Sequence, residues 1–140
     1  MSFIRKLFGR GSTSTESEPA FRAGQVWSYR TRPGEEESLL LITRVETYPE
    51  LGEVVHVGVA GLRIENPLHP DGFGTEISHM PFAPDAVRRS VTELLRSGVP
   101  VLAENEGYES WKDAFDRGEA GIFTLTIAEA VDAMEAAVRA

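Results

Sequence analysis

Gly24-Gln25-Val26-Trp27-Ser28-Tyr29-Arg30-Thr31, Leu39-Leu40-Leu41-Ile42-Thr43-Arg44-Val45 and Val54-Val55-His56-Val57-Gly58-Val59 are three strand-forming runs. They are separated by the turn signals Arg32-Pro33-Gly34 and Tyr48-Pro49-Glu50-Leu51-Gly52. Apolar, β-branched and aromatic residues in short runs cut by Pro and Gly predict an antiparallel meander. Strict alternation places Trp27, Tyr29 and Thr31 on one side of the first strand. In the second it sets Leu39, Leu41, Thr43 and Val45 against Leu40, Ile42, Arg44 and Glu46. In the third, Val55, Val57 and Val59 oppose Val54, His56 and Gly58. Gly58 and Gly61 read as a bend or bulge that would curl the sheet towards a half-barrel.

Downstream, Leu62-Arg63-Ile64 and Thr75-Glu76-Ile77-Ser78-His79-Met80 read as further short strands around the loop Asn66–Gly74. Pro84 opens a helix whose apolar stripe, Val87, Val91, Leu94 and Leu95, runs to Gly98. Tyr108, Trp111 and Phe115 stripe a second helix closed by Gly118. Ile122-Phe123-Thr124-Leu125 reads as a short strand. Thr126 with Glu129 forms a capping box for a final helix striped by Ile127, Val131, Met134 and Val138. Four to five strands, two helices, a short strand and a C-terminal helix make an α+β fold.

The chain has 140 residues, 41% of them hydrophobic and 26% charged, and no cysteine. That length suffices for one unstapled domain. Without thiols, disulfides, thiolate metal sites and cysteine nucleophiles are excluded, and a reducing, cytoplasmic setting is expected. The domain is expected over residues 20–140. Before it, Gly11–Pro19 reads as a flexible polar linker, and Met1–Arg10 carries Arg5, Lys6 and Arg10 with no acid. Removing those three leaves 11 basic against 22 acidic residues, so the remainder stands at −11. Such a body repels phosphate backbones, which argues against nucleic acid and for a basic protein partner. On a helix, Phe3, Ile4, Leu7 and Phe8 share one face beside Arg5 and Lys6, a pattern suited to weak docking on an anionic membrane surface.

Reactive chemistry is hard to find. Three histidines are the only groups that titrate near neutrality. His69 with Asp71 on the Pro-Gly loop, joined by His79, is the one segment suited to a small hydrolase or a metal-dependent enzyme. His56 and His79 would approach each other only if their strands were adjacent. Imidazoles and acids otherwise read as too dispersed for a reactive centre, and no metal or cofactor is expected. Phosphate-loop, nucleophile-elbow and zinc-helix motifs are lacking. Glu35, Glu36 and Glu37 at the first hairpin tip read as solvated charges that would attract a basic partner, with Trp27 as an interface anchor. The expectation is therefore a non-catalytic module that binds a protein, of the inhibitor or immunity type, in a bacterium of compact-protein style.

Overall fold

A computed structural model describes residues 20–139. The membrane-docking candidates Phe3, Ile4, Arg5, Lys6, Leu7 and Phe8 lie outside the described residues. The elements run β1 (Val26–Tyr29), β2 (Leu39–Tyr48), β3 (Gly52–Glu65), β4 (Phe73–Phe82), α1 (Pro84–Ser90), β5 (Val91–Arg96), α2 (Glu106–Asp116) and α3 (Ile127–Arg139). The five strands form one antiparallel sheet in the order β4-β3-β2-β1-β5. The α+β reading holds, with an antiparallel meander and three helices. The outermost strands β4 and β5 do not pair, so the sheet is open and does not close into a barrel.

One face of the sheet carries the core. Trp27 and Tyr29, Leu40 and Ile42, Val55, Val57 and Val59, and Met80 and Phe82 pack with Ala86 and Val87 of α1 and Ile127, Ala130 and Val131 of α3. Residue parity on β2 departs from strict alternation, because the register slips between Ile42 and Arg44. Thr43 is absorbed as a bulge, so Arg44 stands opposite His56 and Val45 opposite Val55. The core face of β2 is thus Leu40, Ile42, Val45, while Arg44, Glu46 and Tyr48 turn to the other side. Strict alternation had joined Val45 to Leu39 and Leu41.

The helix expected from Pro84 to Gly98 stops at Ser90. Val91–Arg96 instead pairs with β1. Ser90 Oγ donates to Ala86 O at 2.9 Å and accepts the Ile127 N–H at 2.9 Å, while Ser90 O accepts the Arg30 N–H at 2.9 Å. β1 would otherwise be an edge, and satisfying its backbone groups outweighs the helical spacing of Leu94 and Leu95. The segment Ile122–Leu125 contributes a single parallel bridge, Phe123 to Phe82, in place of a strand. Leu62–Ile64 simply extends β3. The capping box closes as read: the Thr126 N–H donates to Glu129 Oε1 at 3.0 Å, and the Glu129 N–H to Thr126 Oγ1 at 3.3 Å.

Candidate functional site

The opposite face of the sheet holds everything of chemical interest. Its first feature lies beneath α2. Asn105 caps that helix by accepting the Tyr108 N–H at 3.0 Å, and Tyr108, Trp111 and Phe115 point at the sheet with the spacing of one helical face. They meet Tyr48, His56 and His79. Ring centroids are 4.8 Å apart for Trp111 and Phe115, 5.0 Å for Tyr48 and Phe115, and 5.1 Å for His56 with either Tyr108 or Trp111. Because β3 and β4 are adjacent, His56 and His79 do approach: His56 Nδ1 lies 2.9 Å from His79 Nε2 with the rings stacked at 5.1 Å.

Glu46 completes a chain. Its Oε1 stands 3.2 Å from His56 Nε2, outside hydrogen-bond alignment. The carboxylate accepts the Tyr108 hydroxyl at 2.9 Å and a short bond from Tyr48, with Arg44 Nη1 at 3.2 Å. The consistent proton arrangement puts a hydrogen on His56 Nε2, facing the carboxylate, and leaves Nδ1 to accept from His79 Nε2–H. Burial holds both imidazoles at about 4, against the pull of Glu46. For His79 the neighbouring His56 and Arg44 charges add to burial, and for His56 Arg44 does. Burial pushes the Glu46 carboxyl up, but the hydroxyls of Tyr48 and Tyr108, with His56 and Arg44, outweigh it and hold it below the usual carboxylate value. Burial and the Glu46 carboxylate raise both tyrosines.

The cluster corrects the expectation that imidazoles and acids are dispersed, since three of them touch. They are strung in a line, however, and do not converge on one point. Among the described residues no group of three or more His, Asp or Glu side chains is arranged to hold a metal ion. The outer imidazole is covered by α2: a Cβ on Gly107 would sit 2.9 Å from His79 Cβ. Its chemistry is that of a neutral, hydrogen-bonded seat for a helix.

The second feature is a cleft of about 330 Å³ on the same face. Val26, Leu39, Leu41, Gly58 and Ala60 form its floor, and the chain between β5 and α2 crosses over it. That strap is pinned at both ends. The Val99 N–H donates to Gly24 O at 3.0 Å beside β1, and Asn105 Nδ2 donates to Ser78 O at 3.2 Å on β4. Depth comes from the small residues Gly58 and Ala60, which stand opposite Leu41 and Leu39 of β2. A Cβ on Gly58 would already lie 3.3 Å from Ser78 O. Among the described residues, Glu76 and Glu104 are the only charged ones lining the cleft. Strap residue Leu102 is 85% exposed.

The residues singled out from the sequence scatter. His69 and Asp71 lie on the exposed β3–β4 loop, where the Asp71 N–H donates to His69 Nδ1 at 3.3 Å. His79 is six residues along β4, about 20 Å further at 3.3 Å per residue, so the hydrolase constellation does not assemble. Glu35, read as solvated, is 4% exposed. Arg32 clamps it through Nη2 and Nε at 2.6 and 2.9 Å, and the Arg63 N–H donates to it at 2.7 Å. Trp27 is 7% exposed, its indole N–H donating to Gln25 Oε1 at 3.1 Å. Glu36 and Glu37 alone of these four face solvent. The cleft escaped sequence reading because its floor is built by side chains absent from Gly58 and Ala60. The only signal was Gly58 inside a strand. Compared with known proteins, the chain matches no family model, no curated sequence and no solved structure.

Proposed function

We propose that the protein is a non-catalytic interaction module whose cleft receives a short apolar segment, flanked by basic residues, of a protein partner. The observation that carries this is the lining of the cleft: leucine and valine side chains over glycine and alanine, with Glu76 and Glu104 as the only charges among the described residues that line it. A site of this size lies at the small end of the ~300–1,000 Å³ found for ligand clefts. Burial of a large apolar side chain there supplies affinity, roughly 25 cal/mol per Å² removed from water. The two carboxylates add selection and on-rate for basic neighbours. The net charge of −8 acts in the same direction and opposes phosphate ligands. No helix among the described residues is long and apolar enough to cross a membrane. An inhibitor or immunity-type role in the cytoplasm agrees with this chemistry.

Selection of a random peptide library on the full chain tests the proposal. Enriched peptides should carry Leu, Phe or Trp beside Lys or Arg. Ala60→Trp, which fills the floor, should weaken them at least tenfold while circular dichroism stays unchanged. Equal binding by Ala60→Trp, or no enrichment at all, overturns the reading.

A further inference from the structure

We infer that the partner's segment enters this cleft in extended form, with an apolar side chain over Gly58 and a basic side chain two residues away on Glu76. This rests on the cleft being the binding site proposed above, and it names the motif that the site reads.

The cleft has a direction, and β3 sets it. His56, Gly58 and Ala60 follow one another along the outer face of that strand, roughly 7 Å per two residues. The row through Gly58 has Leu41 of β2 on one side. On its other side, a Cβ at Gly58 would lie 3.3 Å from Ser78 O of β4. The row through Ala60 has Leu39 on one side and Glu76 on the other. Small residues on the middle strand therefore leave a groove along β3, with its flanking strands roughly 10 Å apart.

The groove is blind at one end. Towards His56 it meets the start of α2, which sits so tightly on β4 that a Cβ on Gly107 would lie 2.9 Å from His79 Cβ and 3.3 Å from Ser78 Oγ. The strap crosses at this end. Its anchors are Gly24 O, two residues before Val26, and Ser78 O beside Gly58. Val26 in turn stands opposite Leu41, in the Gly58 row. The other end is open: Ala60 and Glu76 are exposed, and Leu39 is 39% exposed. An α-helix, about 10–12 Å across with its side chains, does not pass between strap and floor. An extended chain does. Its side chains at i and i+2 point the same way about 7 Å apart, which is the spacing of Gly58 and Ala60.

The two rows differ in chemistry. The inner one sets Val26 and Leu41 beside Gly58 under the strap, a place for an apolar side chain. The outer one sets the carboxylate of Glu76 against Leu39 across Ala60. Lys or Arg fits there, laying its alkyl stem on Leu39 and its charge on Glu76. Glu104 stands on the strap and adds attraction without fixing the spacing.

Random linear peptides selected on the full chain test this motif. Enriched sequences should align with Leu, Phe or Trp at one position and Lys or Arg two residues away. Glu76→Lys, at an exposed site, should weaken such a peptide at least tenfold. Selection on that variant should place Asp or Glu at the same offset and leave the apolar position unchanged. Bases at a spacing of three or four residues overturn the inference, and so does an unaltered preference on Glu76→Lys. If apolar-basic peptides bind and Ala60→Trp weakens them, yet no fixed spacing emerges, only the extended register fails. Without any enrichment the cleft itself fails as a binding site.

Discussion

Arg32 shows how much one side chain holds in this fold. Besides its bidentate grip on Glu35, its Nη1 reaches Asp132 at 2.9 Å and Glu135 at 3.0 Å on α3, and its Nη2 donates to Arg63 O at 3.2 Å. Glu135 in turn accepts the Glu65 N–H at 2.6 Å. The Glu35 hydrogen bonds, ahead of the opposing effect of burial, raise the Arg32 guanidinium above its ordinary value. Arg32→Met should cost about 3–5 kcal/mol in urea unfolding, because it strands a buried carboxylate. Arg32→Lys should restore only part, lacking the planar fork. A loss under about 1 kcal/mol for Arg32→Met would show the network to be solvated. His56 gives the second residue-scale prediction. An imidazole held at about 4 when folded and near 6.5 when unfolded binds its proton more readily in the unfolded chain. Stability is therefore complete above pH 6.5 and falls as the pH drops towards 4. Between pH 6.5 and 5, before most carboxylates titrate, His56 alone should remove about 2 kcal/mol. His79 and Glu46 shift in the same sense. Urea midpoints that stay level from pH 7 to 5 would contradict the buried, neutral pair.

At the scale of elements, the bulge at Thr43 decides what the second face becomes. With Thr43 and Arg44 together opposite His56, the parity of β2 is reset and Glu46 and Tyr48 arrive under α2. Deleting Thr43 should leave the faces intact and cost less than about 2 kcal/mol, since the strand simply becomes regular. Deleting Leu41 moves core residues to the wrong face and should abolish cooperative unfolding. If both deletions behave alike, the register drawn here is wrong. Much of this was legible. The runs flanking Pro33-Gly34 and Pro49–Gly52, Pro84 at a helix start and the Thr126–Glu129 box each form as local chemistry dictates. What escaped is non-local. Val91–Arg96 becomes a strand because β1 needs a neighbour, and no local pattern announces that. Two register shifts between β1 and β5 then leave an irregular edge, which discourages pairing with another chain. The cluster under α2 was half legible: His56 and His79 were linked by strand adjacency, whereas Glu46, Tyr48 and Tyr108 required the bulge and the helix position. α2 buries no residue fully, so its amides should exchange hydrogen well ahead of those in β2 and β3.

At the scale of the molecule, two layers do different work. Helices α1 and α3 with the inner face supply stability, and the outer face carries a neutral aromatic–histidine seat beside an apolar, acid-lined cleft. The strap from Val99 to Asn105 joins them, since it ends on the cap of α2. Under the proposed function, recognition belongs to the cleft and the imidazoles keep a structural role. Methyl NMR of the full chain, titrated with a library-selected basic-apolar peptide, reads the position directly. Shifts should concentrate on Leu39, Leu41, Ile77, Val101 and Leu102 and be lost with Ala60→Trp. Shifts confined to α1 and α3, or a change in the His56 and His79 ring resonances without any at the leucines, would contradict a cleft-based binding module.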